Sequence, residues 1–121
     1  MAVSAKISPP NSLILVMDAS GAEVPNSMDH SLITYTNSCI AVGCLAEIDG
    51  ETFITLGLKK EFEISEKPIF EGKLQSPGHR IEVRTILGEV ILGVSVPQDE
   101  TDIKIWTNHN MEPDNIVIGL S

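Results

Sequence analysis

The 121 residues include 17 acidic and 8 basic side chains, so the net charge is −9 at pH 7, and 42% of the residues are apolar. This length predicts a single domain that can bury a core without disulfides or metals. The excess of acid opposes binding to a nucleic-acid backbone or an anionic membrane, so we expect neither among the partners.

The N-terminal third predicts two strands and a long loop. Residues 1–11 contain two consecutive prolines, which favour an extended or frayed lead-in. Residues 12–121 are predicted to form a single domain. The uninterrupted apolar run Leu13–Met17 is typical of a strand buried on both faces. Residues 22–38 are polar, and we expect a loop with one short strand around Ser31–Tyr35.

A hairpin is predicted around Asp49-Gly50, between the apolar arms Ile40–Ile48 and Glu51–Leu58. Asp-Gly suits a type I′ turn, because both central residues of that turn need a positive φ. Both arms carry apolar residues on both faces, which predicts central strands. Alternation beyond Gly57 predicts that the second arm continues to Ile64.

The next stretch predicts an edge strand and a second hairpin. Residues 65–79 contain several prolines and glycines, and we expect a connection with a short edge strand near Ile69–Phe70. Independent alternation in Arg80–Ile86 and Glu89–Val96 favours one register around a turn at Leu87-Gly88. That register pairs Ile81 with Val94, Val83 with Leu92 and Thr85 with Val90.

The C-terminal part predicts an acidic loop over Pro97–Asp102, a strand over Ile103–Thr107, a polar loop over Asn108–Asn115 and a last strand over Ile116–Leu120. No stretch shows a sustained helical period. Eight or nine short strands separated by turns predict an all-β fold, an antiparallel β-sandwich, with a partly open β-barrel as the alternative.

The two cysteines, Cys39 and Cys44, are five residues apart on a predicted strand, so their side chains point to opposite faces. We therefore expect no disulfide between them. Without a disulfide pattern, a signal-peptide core or an apolar run of ~20 residues, the sequence predicts a cytoplasmic protein.

Catalytic and metal sites find little support in the spacing of polar residues. Asp29-His30 has hydroxyls nearby, but consecutive residues do not orient one another as a catalytic triad requires. His79 and His109 are interpreted as polar turn residues. The acids on either side of the Ile103–Thr107 strand are roughly 17 Å apart, too far to share one ion. We expect no cofactor, no metal and no enzymatic activity.

The residues predicted to bind a partner are acidic side chains clustered in loops, with one tryptophan as their anchor if it is exposed. Such clusters on a rigid sandwich can present a phosphate-like surface to a basic groove. The predicted set consists of Glu47, Asp49 and Glu51; Asp99, Glu100 and Asp102; Glu112 and Asp114; and Trp106.

The order of several short motifs resembles the competence-type nuclease inhibitor family (ComJ-like). These are an early strand, Met28-Asp29 after a proline-containing loop, Ala46–Gly50 at the turn, Trp106-Thr107, and a closing aliphatic strand over Ile116–Ser121. The resemblance implies an acidic, β-rich protein that binds and restrains a nuclease, in agreement with the charge.

The leading hypothesis is therefore a small acidic, non-enzymatic protein-binding module, an inhibitor or immunity-type protein acting on a basic protein partner. One alternative is a structural β-sandwich that assembles with further copies of itself into a homo-oligomer. The other is a small hydrolase with a site near Asp29-His30 or His109.

Overall fold

The computed structural model describes residues 2–121 and shows ten strands in two five-stranded sheets. The strands are β1 (Val3–Ile7), β2 (Leu13–Asp18), β3 (Ile33–Tyr35), β4 (Cys39–Gly43), β5 (Thr52–Leu58), β6 (Phe70–Gln75), β7 (Arg80–Thr85), β8 (Val90–Ser95), β9 (Glu100–Thr107) and β10 (Asn115–Leu120). Short 3-10 turns cover Pro10–Ser12, Glu47–Asp49 and Lys59–Glu61. In the described residues there is no helix long and apolar enough to cross a membrane.

The two sheets pack face to face, and the predicted β-sandwich is confirmed. Sheet A has the strand order β1-β5-β10-β9-β6, and sheet B has the order β3-β4-β2-β7-β8. Neighbouring strands are antiparallel except β5 and β10, which run parallel in the middle of sheet A. The sheets do not close into a barrel, although the rings of Tyr35 and Phe70 meet edge to face across one seam, with centroids 5.2 Å apart.

The main core fills the space between the sheets with aliphatic side chains. Alternate residues of each strand point inward, for example Ile14 and Val16 from β2 and Ile116 and Ile118 from β10. A second cluster on the outer face of sheet B buries the other parity of β2 and β4, against the first residue of β2 and residues of the flanking loops. This second layer explains why the run Leu13–Met17 of β2 is apolar throughout, as predicted. Its members are Leu15, Met17, Cys39 and Ala41, covered by Leu13, Ala22, Met28 and Ile86.

The predicted hairpin around Asp49-Gly50 is wrong. Its arms lie in different sheets, β4 in sheet B and β5 in sheet A, and residues 44–51 cross from one sheet to the other. Gly50 does have a positive φ of 137°, but Glu47–Asp49 forms a 3-10 turn. Asp-Gly between apolar runs therefore marks a change of direction here without pairing the two runs.

One strand was not predicted, and the boundaries of two others differ from the predictions. Within the expected lead-in, residues 3–7 form β1, which pairs antiparallel with β5. Strand β5 ends at Leu58, because the chain turns in the 3-10 segment Lys59–Glu61 instead of continuing to Ile64. Strand β9 begins at Glu100, because the last residues of the predicted acidic loop pair with β6.

The hairpin of β7 and β8 is confirmed with most of its register. Ile81 pairs with Val94 and Val83 with Leu92, as the alternation predicts. A β-bulge after Val83 then pairs Arg84 with Val90, so the predicted pairing of Thr85 with Val90 is wrong. Strands β2, β3 and β10, and the edge position of β6, also agree with the predictions.

Candidate interaction surface

The strands bring four connections to one end of the sandwich: residues 8–12, 44–51, 86–89 and 108–114. We call the last three of these the loop end. Strands β5 and β10 begin at this end and β9 ends there, since Ile116 pairs with both Ile54 and Thr107. In sheet B, β2 begins and β4 and β7 end here. The four connections therefore leave the sheets in the same direction.

Two of the predicted acidic clusters meet at the loop end. The Leu45 N–H donates to the Pro113 carbonyl at 2.9 Å, and the Phe53 N–H donates to the Asp114 carbonyl at 2.8 Å. These backbone bonds hold residues 44–51 against residues 108–114. With Glu89 of the β7–β8 turn, the exposed acids of the loop end are Glu47, Asp49, Glu51, Glu89, Glu112 and Asp114.

The third predicted cluster lies at the opposite end of β9, and its acids are paired with basic side chains. Lys73 Nζ lies 2.8 Å from Asp102 and 3.8 Å from Glu100. His79 Nε2 lies 2.6 Å from Asp99. Hydrogen bonding and charge from Asp102 raise the pKa of Lys73. Glu100 and Asp102 are strand residues, not loop residues as predicted, and they do not join the other acids.

The carboxylates of the loop end, in contrast, form no ion pair with any lysine, arginine or histidine of residues 2–121. Asp114 accepts a hydrogen bond from the neutral amide of Asn108 at 2.6 Å. The loop end therefore keeps its negative charge, while the charge of the opposite end is partly neutralised.

His109 organises residues 108–114 from within. Its Nδ1 accepts hydrogen bonds from the N–H groups of Met111 at 3.1 Å and Glu112 at 2.9 Å, and its carbonyl accepts one from the Thr107 hydroxyl at 3.0 Å. The role of His109 is therefore to hold a turn.

The other suggested catalytic pair also belongs to a turn. Asp29 and His30 both have a positive φ, of 49° and 59°. The Ser27 hydroxyl donates to Asp29 Oδ1 at 3.3 Å and accepts a bond from the Asp29 N–H at 3.1 Å. The carboxylate and the N–H of Asp29 thus both bond to the Ser27 hydroxyl, not to the imidazole beside Asp29.

Trp106 is half-buried on the outer face of sheet A, outside the loop end. Its indole Nε1 donates to the Glu66 carbonyl at 2.9 Å, and its ring packs over Gly119. A shallow groove of about 340 Å³ runs beside it, lined partly by Ile64 and Ile69. Trp106 was predicted to anchor an interface if it is exposed, and its side chain is only partly exposed.

Three exposed apolar side chains, one on each connection of the loop end, were not predicted from the sequence. The side chains of Ile48, Leu87 and Met111 are 95%, 80% and 52% exposed. Each stands within one or two residues of acids in a turn, and that pattern is the signal that could have identified them.

Metal-binding and thiol chemistry have no evident site in residues 2–121. No group of three or more histidine, cysteine or acidic side chains there is arranged to hold a metal ion. Cys39 lies in the outer cluster and Cys44 in the main core, on opposite faces as predicted. Burial raises the pKa of the Cys39 thiol to about 11, so it stays protonated and unreactive.

Comparison with known proteins finds similarity only at the level of structure. No family model and no curated protein matches the sequence. The crystal structure of ComJ, inhibitor of the DNA degrading activity of NucA, from Bacillus subtilis, matches with a TM-score of 0.71 and 12% identity, over 98% of this chain and 93% of that one. A structure described as crocagin biosynthetic gene J matches with a TM-score of 0.58 and 14% identity, over 98% and 94%. The chain has the fold of ComJ, and the resemblance predicted from its motifs is confirmed at that level.

Proposed function

We propose that this protein is a non-enzymatic, cytoplasmic inhibitor that binds a basic protein partner, and that the partner is a nuclease. The observation that carries the proposal is the set of six exposed carboxylates at the loop end without a basic partner in residues 2–121. The fold shared with ComJ, an inhibitor of a nuclease, supports it independently.

The physical basis is charge complementarity. A nuclease must attract a phosphate backbone, so its active-site groove is basic. An acidic surface on a rigid scaffold competes for that groove, and the long-range field accelerates the encounter. Inhibition of this kind requires no catalytic group on the inhibitor.

The test is affinity capture of the tagged protein from a lysate of the cells that produce it. We expect a basic protein to be retained at low salt, released at high salt and identified by mass spectrometry. The purified partner should degrade DNA, and stoichiometric addition of the inhibitor should slow that degradation.

Two outcomes contradict the proposal. Recovery of the tagged protein alone, as a stable multimer, favours the self-assembling sandwich. A partner whose retention does not depend on salt contradicts the role of charge.

A further inference from the structure

We propose that the loop end is the binding surface, with Ile48, Leu87 and Met111 as an apolar centre within a ring of carboxylates. Its occupant is a basic surface of the partner protein that offers apolar contacts between its cationic side chains. This inference rests on the proposed function and specifies which part of the molecule carries it.

The three apolar side chains are all exposed at one end of the molecule. A single exposed apolar residue is ordinary, but here each of three neighbouring connections presents one outward at the same end of the sandwich. Apolar side chains that become buried at the centre of an interface contribute most of its binding free energy, while a polar rim excludes water around them.

Hydrogen-bonded turns hold these three residues in place. The Asp49 N–H donates to the Ala46 carbonyl at 2.8 Å in the turn of Ile48, and the Gly88 N–H donates to the Thr85 carbonyl at 2.9 Å in the turn of Leu87. The imidazole of His109 fixes the turn of Met111. A preorganised surface loses less conformational entropy on binding.

The charge of the loop end favours a basic partner over a second copy of this chain. Like charges across an interface are repulsive, so a second copy meeting the loop end with its own loop end would oppose six carboxylates with six. A basic partner gains from the same charges. The opposite end has less negative charge available to a basic partner, because Asp99 and Asp102 already interact with His79 and Lys73.

The first test removes the apolar centre. Ile48→Ser, Leu87→Ser and Met111→Ser are combined in one variant, and the control combines Val24→Ser with Ile69→Ser, two exposed apolar residues outside the loop end. The probe is the protein that the wild type captures at low salt and releases at high salt, purified and titrated by calorimetry. We expect affinity to fall at least about tenfold for the loop-end variant and to change less than about twofold for the control.

The second test compares charges at the two ends. Glu47→Gln with Asp49→Asn should slow association several-fold and flatten its salt dependence, whereas Asp99→Asn with Asp102→Asn should leave both nearly unchanged. Thermal unfolding establishes that each variant is folded. In the complex, amide hydrogen exchange should slow in residues 44–51, 86–89 and 108–114.

The outcomes separate the two proposals. If the wild type captures a salt-sensitive partner but the loop-end variants bind it as tightly as the controls do, the surface is wrong and the proposed function stands. Protection from exchange at the Asp99–Asp102 end alone would also overturn the surface. If the wild type captures no basic partner, the proposed function fails and the surface inference fails with it.

Discussion

The carboxylate of Asp18 connects distant parts of the fold. It lies at the end of β2, is completely buried, and accepts hydrogen bonds from the N–H groups of Gly78 at 2.8 Å and Arg80 at 3.4 Å. The N–H and hydroxyl of Ser20 donate to it as well. Burial alone would raise the pKa of Asp18, but the hydrogen bonds from Ser20, Gly78 and Arg80 outweigh it and lower the pKa.

We predict that Asp18→Asn destabilises the protein by about 1–3 kcal/mol at pH 7, because the amide has one acceptor oxygen where the carboxylate has two. The folded-state pKa lies below the unfolded value of about 3.9, so the unfolded chain binds more protons between the two values. Wild-type stability should therefore fall as the pH drops below about 4, and the variant should lack this contribution. Urea unfolding across that range measures both effects, with the exposed Asp49→Asn as control. If the free energies of unfolding of Asp18→Asn and the wild type depended equally on pH, the pH dependence would not come from Asp18.

At the scale of strands, the sequence predicts structure where local patterns agree and fails where pairing is non-local. The β7–β8 hairpin was predictable because both arms alternate and a short turn joins them. Around Asp49-Gly50 both faces of both arms are apolar, so alternation could not show that the arms belong to different sheets. The acids of the loop end were visible in the sequence. Which of them lie close together depends on the crossing of residues 44–51 from sheet B to sheet A, which the sequence did not reveal. Leu87 and Met111 were not predicted because a lone apolar residue in a turn is common, and only its position beside acidic residues distinguishes each of them.

Glycine at position 57 marks a close approach between strand β5 and the start of the chain. A Cβ there would lie 2.7 Å from the Ala2 Cβ and 2.8 Å from its Cα. At Gly43, in β4, a Cβ would meet Leu32 at an ordinary 3.5 Å.

We predict that Gly57→Ala destabilises the fold by about 1–2 kcal/mol through overpacking, and that Gly43→Ala changes stability by less than about 0.5 kcal/mol. Chemical denaturation of the two variants side by side measures the difference. If both behave alike, Ala2 does not pack on β5 as described.

The whole molecule is electrically asymmetric. The unpaired carboxylates of the loop end repel one another, whereas those at the other end of β9 interact with Lys73 and His79. Removing two charges from either end changes the net charge equally, from −9 to −7.

We therefore predict opposite effects on thermal stability from two matched variants. Glu47→Gln with Asp49→Asn should raise the melting temperature at low ionic strength by relieving repulsion. Asp99→Asn with Asp102→Asn should lower it by removing the ion pair of Lys73 with Asp102 and weakening the contact of His79 with Asp99. Both differences should shrink in 1 M salt, where the Debye length is about 3 Å. Scanning calorimetry at two salt concentrations checks this, and shifts of the same sign would contradict the asymmetry.

The central position of β10 determines when sheet A can form during synthesis of the chain. β10 is the last strand in the sequence, yet it lies between β5 and β9 and pairs with both. On the ribosome, these two strands cannot be joined until residues 115–120 have emerged, so an incomplete chain exposes unpaired strand edges. Contacts of such long sequence separation also slow folding. Sheet A is therefore completed only after residues 115–120 have been synthesised, and the net charge of −9 opposes association of incomplete chains in the meantime.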